Sequence, residues 1–273
     1  MKLYRAANNP VVEHEGHFYS IPDRSFDSLV CQENLLGFLT EFAERAVPTG
    51  ALNESQLQAP VGHQEVWAAG VTYYRSRSAR IEESEGGGDF YDRVYSAERP
   101  ELFFKSMPQK VVGHGGKVRI RSDAQWSVPE PELALLVNAR AEIVGYTIGN
   151  DVSSRDIEGA NPLYLPQAKV YDHSCALGPG VLIHEESLSK STSIQLDIVR
   201  DGEMSFTGTT TLSEMRRELQ TLVDYLFRDH TFEHGCYLLT GTGIVPPDAF
   251  TLQARDEIRI SIDGIGTLIN TVA

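Results

Sequence analysis

Five apolar residues in a row, Leu133-Ala134-Leu135-Leu136-Val137, follow directly on Val128-Pro129-Glu130-Pro131-Glu132. An unbroken apolar run this short reads as a buried strand. The two glutamates stand at its mouth and, one residue apart in an extended segment, project to the same side. Two carboxylates so placed repel unless a positive group lies between them, and a hard divalent cation is the simplest such group. The competing reading is a solvated strand face, where Glu-x-Glu pairs are common. Each glutamate follows a proline, which costs ladder hydrogen bonds and suits a strand edge or rim.

Around this segment the chain is mostly strand-like. Residues 133–137 and 143–148 flank a polar turn and read as a hairpin. The alternating residues 194–199 lead into Arg200-Asp201-Gly202, a strong turn signal opening a second hairpin. Further strands are expected at 65–72, 237–240, 257–262 and 267–269. The one late helix is expected after Thr211-Leu212-Ser213-Glu214, read as a capping box, with Met215, Leu219, Leu222, Val223, Leu226 and Phe227 along one face. Many hairpin-linked strands with few helices give an α+β or mainly β class. Residues 1–60 read as a small N-terminal α/β module, with a buried helix face (Leu35, Leu36, Phe38, Leu39, Phe42) inside 31–46. Residues 61–273 form the main domain. Gly86-Gly87-Gly88, flanked by acids and lacking a following Lys-Ser/Thr, reads as a loop or lid rather than a phosphate cradle.

Two further groups bear on the glutamates. Asp151, after Asn150, is either a third ligand or ordinary turn chemistry. Lys169 is either a snorkelling surface lysine or, beside a metal, an amine base of lowered pKa. His230 and His234 have the spacing of helix ligands but read as a helix-terminal pair. His14 and His17 read as surface turn residues. Cys175 reads as a small core residue, and no Gly-x-Ser-x-Gly elbow supports a serine triad. A net charge of −14 argues against nucleic acid and anionic membranes as partners. Three scattered cysteines, no apolar leader and no bilayer-length apolar run point to the cytoplasm.

The ordered motifs Pro129 to Val137, Gly145-Tyr-Thr-Ile-Gly-Asn-Asp-Val-Ser-Ser-Arg-Asp156, Lys169, Leu177-Gly-Pro179, Leu239-Thr-Gly-Thr-Gly-Ile-Val245 and Asp263 to Asn270 resemble those of the fumarylacetoacetate hydrolase superfamily. The resemblance spans about 65–273. It implies a mixed β-roll catalytic domain, usually in a homodimer. It also implies Glu130, Glu132 and Asp151 as ligands of Mg²⁺, with Mn²⁺ or Ca²⁺ able to take its place, and Lys169 as the active-site lysine. Carbon–carbon hydrolases of this superfamily carry a histidine after the early strand, where this chain has Tyr73-Tyr74-Arg75-Ser76-Arg77-Ser78.

The stretch Arg99-Pro-Glu101-Leu-Phe-Phe-Lys105 resembles the 2-keto-3-deoxy-D-arabinonate dehydratase branch. That implies Glu101 as second catalytic residue, a 2-oxo acid substrate and 2,5-dioxopentanoate as product. Arg75, Arg77, Lys105 and Thr242 are the expected substrate contacts. The alternatives are a hydrolase or decarboxylase of acylpyruvates or other 2,4-diketo acids, and a sugar-acid sensor without turnover.

Overall fold

The computed structural model describes residues 1–76, 93–184 and 186–273. The chain opens with an antiparallel meander, β1 (Lys2–Arg5), β2 (Pro10–His14) and β3 (His17–Ser20), followed by α1 (Phe26–Val30) and α2 (Leu35–Arg45). Asn34 caps α2 through the Gly37 N–H, so the helix expected within 31–46 begins at Leu35. Then come β4 (Glu65–Gly70), β5 (Glu101–Ser106), and the short strands β6 (Val111–Val112), β7 (Lys117–Val118) and β8 (Ser127–Val128). The first expected hairpin is β9 (Pro131–Val137) and β10 (Ile143–Asp151). After β11 (Ser153–Ser154), two short helices, α3 (Arg155–Ala160) and α4 (Leu165–Lys169), lead to β12 (Cys175–Ile183). The second expected hairpin is β13 (Ser193–Arg200) and β14 (Glu203–Thr211), turning at Asp201 and Gly202, both with positive φ. The chain ends with α5 (Leu219–Leu226), β15 (Cys236–Leu239), β16 (Glu257–Ile262) and β17 (Gly266–Val272).

Among the described residues, one ten-stranded mixed sheet runs β3-β2-β1-β12-β10-β9-β15-β4-β5, with β6 beside β12. A five-stranded sheet runs β14-β13-β16-β17-β7. The wholly buried β9 explains its unbroken apolar run, because each face meets a different core. Leu133, Leu135 and Val137 pack with Ile194, Leu196, Ile258 and Ile260 of the second sheet and with Leu222, Val223 and Leu226 of α5. Ala134 and Leu136 face the other way, onto Leu3, Leu29, Leu35 and Leu39 of the N-terminal segment. The ladder between β1 and β12 joins residues 1–60 to the large sheet. This is an α+β molecule of stacked mixed sheets with few helices.

Two expected elements are shorter than their sequence pattern. The strand of 65–72 ends at Gly70, since Val71 adopts φ 52° and turns the chain aside. The helix from 211 is corrected more substantially. Leu212–Glu214 make a single 3₁₀ turn, and the Thr211 hydroxyl pairs with that of Ser213 instead of capping a backbone N–H. Tyr73 bridges Met215, the Arg216 N–H donates to the Thr72 carbonyl at 3.0 Å, and this pairing draws 215–216 out of helical geometry. Only from Leu219 does the apolar periodicity become α5. The glycine triplet lies outside the described residues, as does Arg77.

Candidate active site

Two strand ends, the start of β9 and the end of β10, assemble the acidic part of the site. In the β9–β10 ladder Glu132 lies opposite Gly149 and Pro131 opposite Asn150, and the Asp151 N–H donates to the Glu130 carbonyl at 3.0 Å. Facing residues of an antiparallel pair project the same way, so Asp151 joins Glu130, with Glu132 two residues along on the same face. Oxygens from these three buried carboxylates approach within 4.8 Å of one another. Burial, and then the charges of Asp151 and Glu130, hold the Glu132 carboxyl well above the usual carboxylate range. Lys169 and the Gly241 N–H, which donates to Glu132, pull the other way. Three converging hard oxygens suit Mg²⁺, whose charge relieves their mutual repulsion.

Lys169, the last residue of α4, is buried among these acids. Its Nζ donates to Glu130 Oε2 at 2.8 Å, to Asp151 Oδ2 at 3.2 Å and to Ser153 Oγ at 2.6 Å. The nitrogen also lies 5.6 Å from the centre of the Phe103 ring. Arg155 closes the other side, with Nη2 2.9 Å from Glu130 Oε1. Formally, three carboxylates meet three cations, the third being Lys105, whose Nζ pairs with Asp151 Oδ1.

A cleft opens over this cluster, lined among the described residues by Ser76, Glu101, Phe103, Glu130, Glu158, Lys169 and Thr242. Glu101 begins β5 and is paired across the ladder with Gly70. A Cβ at position 70 would sit 2.1 Å from Glu101 Oε2, so the glycine makes the room that the carboxyl occupies. Thr242 is held in the loop after β15, its hydroxyl donating to the Ile244 carbonyl at 3.2 Å and accepting the Ile244 N–H at 3.1 Å.

The structure thus brings together Glu101, Glu130, Glu132, Asp151, Lys169 and Thr242. Arg75 is exposed beside the lining Ser76, and Lys105 is fully buried beneath the cluster. Sequence reasoning gave no role to Ser76, Phe103, Ser153, Arg155 or Glu158. For the last two a signal existed: Arg155 and Glu158 are three apart on α3 and so share a helix face, four and seven residues past Asp151. Cys175 is a core residue, its thiol pushed up to about 12 by burial. His230 and His234 lie beyond the end of α5. His230 packs against Trp67 and Phe232, and His234 stands over His63.

Known proteins are similar to this chain in sequence and fold. The family model described as fumarylacetoacetate (FAA) hydrolase C-terminal matches residues 78–273. A probable 2-keto-3-deoxyxylonate dehydratase of Haloferax volcanii is 47% identical over 241 residues, covering 88% of this chain and 82% of that protein. A 2-dehydro-3-deoxy-D-arabinonate dehydratase of Saccharolobus solfataricus is 42% identical over 225 residues, 81% of this chain and 76% of its own. A solved structure of 2-keto-3-deoxy-D-arabinonate dehydratase complexed with magnesium and 2,5-dioxopentanoate superposes with a TM-score of 0.84 at 34% identity. It covers 100% of this chain and 98% of that one. With the stacked mixed sheets and the carboxylate triad in place, these matches settle the kinship: the chain belongs to the fumarylacetoacetate hydrolase family.

Proposed function

We propose that this protein dehydrates a 2-keto-3-deoxy pentonate to 2,5-dioxopentanoate and water, using Mg²⁺. The observation that carries the reading is the convergence of Glu101 and Lys169 on one cleft above three buried carboxylates. The dehydratase relatives support it, and so does the sequence of 64–113, which contains no histidine to form a water-activating dyad.

Glu130, Glu132 and Asp151 are the residues that would hold the ion. Bound there, it would supply the positive charge that polarises the ketone of a 2-oxo acid and acidifies C3–H. The rest falls to the chain's own groups. Lys169, in its neutral form, takes the C3 proton, and Ser153 keeps its Nζ oriented through the 2.6 Å contact. Phe103 covers the lysine on its apolar side and limits water there. Glu101, protonated, gives its proton to the C4 hydroxyl as that group leaves as water. These steps break C3–H and C4–O and make a C3–C4 double bond. Transfer of a proton from C5 to C3 then gives the C4–C5 enol, and passage of the enol hydroxyl proton to C4 produces the terminal aldehyde. Thr242 and the exposed Arg75 are proposed contacts for the substrate's polar outer end, and Arg77 is a third from outside the described residues.

Incubation of metal-loaded protein with the stereoisomeric 2-keto-3-deoxypentonates tests the proposal. We expect 2,5-dioxopentanoate from at least one isomer, abolished by chelator. Absence of that product with every isomer would sink it, and release of pyruvate from an acylpyruvate, or of CO₂ from oxaloacetate, would move the protein to hydrolase or decarboxylase chemistry.

A cytoplasmic homodimer is part of the same proposal. The three cysteines are free, which fits a reducing compartment, and among the described residues no helix is long and apolar enough to cross a membrane. Light scattering that reads a single chain would remove the dimer.

A further inference from the structure

Lys105 is the fully buried cation beneath the site. Its ammonium donates to the Val152 carbonyl at 3.1 Å and to the Lys169 carbonyl at 2.6 Å, and it is ion-paired with the Asp151 carboxylate. The ammonium is thus engaged by protein oxygens beneath the site, and Lys105 is not among the described residues that line the cleft. A substrate-binding role asks for the opposite on both counts.

These partners belong to two separate segments. Asp151 and Val152 are the end of β10 and the residue after it, whereas Lys169 is the last residue of α4. A five-residue helix has little stability of its own, so the position of its final side chain depends on tertiary anchors. The Lys169 carbonyl has two such anchors, Lys105 Nζ and the Ser174 hydroxyl, the latter at 2.8 Å. Alternation along β5 puts Glu101 and Phe103 on one face, and Lys105, at the register shift between Phe104 and Ser106, reaches Asp151 and the Lys169 backbone. One strand therefore supplies the proposed acid, the ring beside the base, and the clamp below it.

We propose that Lys105 is a positioning residue, clamping the Asp151 carboxylate to the backbone of Lys169 so that metal ligand and base keep a fixed separation. The proposal rests on the dehydratase reading for Lys169's role as base, but the clamp itself has a readout that needs no turnover.

Lys105→Met keeps the side chain's length and removes its charge and donors. In metal-free protein, amide hydrogen exchange is expected to speed up across 165–174 and to stay unchanged in the β13–β14 hairpin. In loaded enzyme, kcat is expected to fall on the order of 100-fold, the scale of a misplaced catalytic group, while KM moves less than about threefold. A raised KM with unchanged kcat would return Lys105 to substrate binding, and unchanged kcat per folded molecule would leave it a purely structural residue. Either result overturns the proposal.

Ser174→Ala removes the second anchor, along with the hydroxyl's 3.4 Å contact from the Tyr171 N–H, and keeps the test open if Lys105→Met does not fold. It should lower kcat about tenfold at constant KM, and an unaltered kcat there also counts against the clamp. Wild-type protein inactive on every 2-keto-3-deoxypentonate would fail the functional reading instead, with the exchange experiment still deciding the clamp.

Discussion

Two residues carry the clearest single-site consequences, Glu101 and Glu132. Removing the acid's proton with Glu101→Gln should lower kcat by about 10² to 10⁴, the usual contribution of a general acid, and leave Mg²⁺ affinity in place. Gly70→Ala approaches the same group from behind. The added methyl meets the flexible end of Glu101, so the fold should survive, with an unchanged circular dichroism spectrum, while the displaced carboxyl costs at least about tenfold in kcat. A Gly70→Ala enzyme with full activity would show that the carboxyl's position is unimportant. Glu132 sets a pH dependence. Its folded pKa is raised, so its contribution to the stability of metal-free protein is fully present below the ordinary carboxylate range and is lost as pH rises through the raised value. A divalent ion compensates in that upper range. Calorimetry should therefore find a larger Mg²⁺-induced rise in Tm at pH 8 than at pH 5, and equal rises would contradict the assignment.

At the scale of elements, legibility followed locality. The β9–β10 and β13–β14 hairpins were readable because alternation, an apolar run and turn residues such as Asp201-Gly202 act over a few positions. Glu130, Glu132, Asp151 and Lys169 were visible as a set only with the help of a family resemblance, since Asp151 and Lys169 reach the glutamates through tertiary structure. The helix after Thr211 was misread because its apolar spacing is real, whereas the partner that pulls 215–216 straight is Tyr73, far away in sequence. Lys105 shows the same limit differently: its residue type signals a charge near the site, but only its ion pair and two carbonyl acceptors show that the charge points inward. Arg155 and Glu158 had a local signal, one face of α3, that carried no meaning until the cleft gave it one.

For the molecule as a whole, the site stands at one end of a sheet face whose remainder is covered by the N-terminal segment. Val66, Ala68, Ala134, Leu136, Cys175, Leu177 and Leu239 share a core with Leu3, Leu29, Leu35 and Leu39. We propose that residues 1–60 are an accessory module that seals the floor on which the carboxylates are mounted. Deleting them uncovers that apolar face, and each large apolar side chain left in water forfeits roughly 1.5–3 kcal/mol. The shortened chain is expected to be insoluble or to lack a cooperative melting transition, and a soluble, fully active 61–273 fragment would show the module to be dispensable. The proposed chemistry divides labour across the cleft, with Lys169 moving the C3 proton and Glu101 releasing the C4 hydroxyl. Proton NMR of the substrate's C3 position in D₂O, with Mg²⁺ and each variant, separates the two. Glu101→Gln should still exchange C3 hydrogen for deuterium faster than the enzyme-free background while making almost no product, and Lys169→Met should do neither. Exchange that persists in Lys169→Met, or disappears in Glu101→Gln while dehydration continues, would contradict the account.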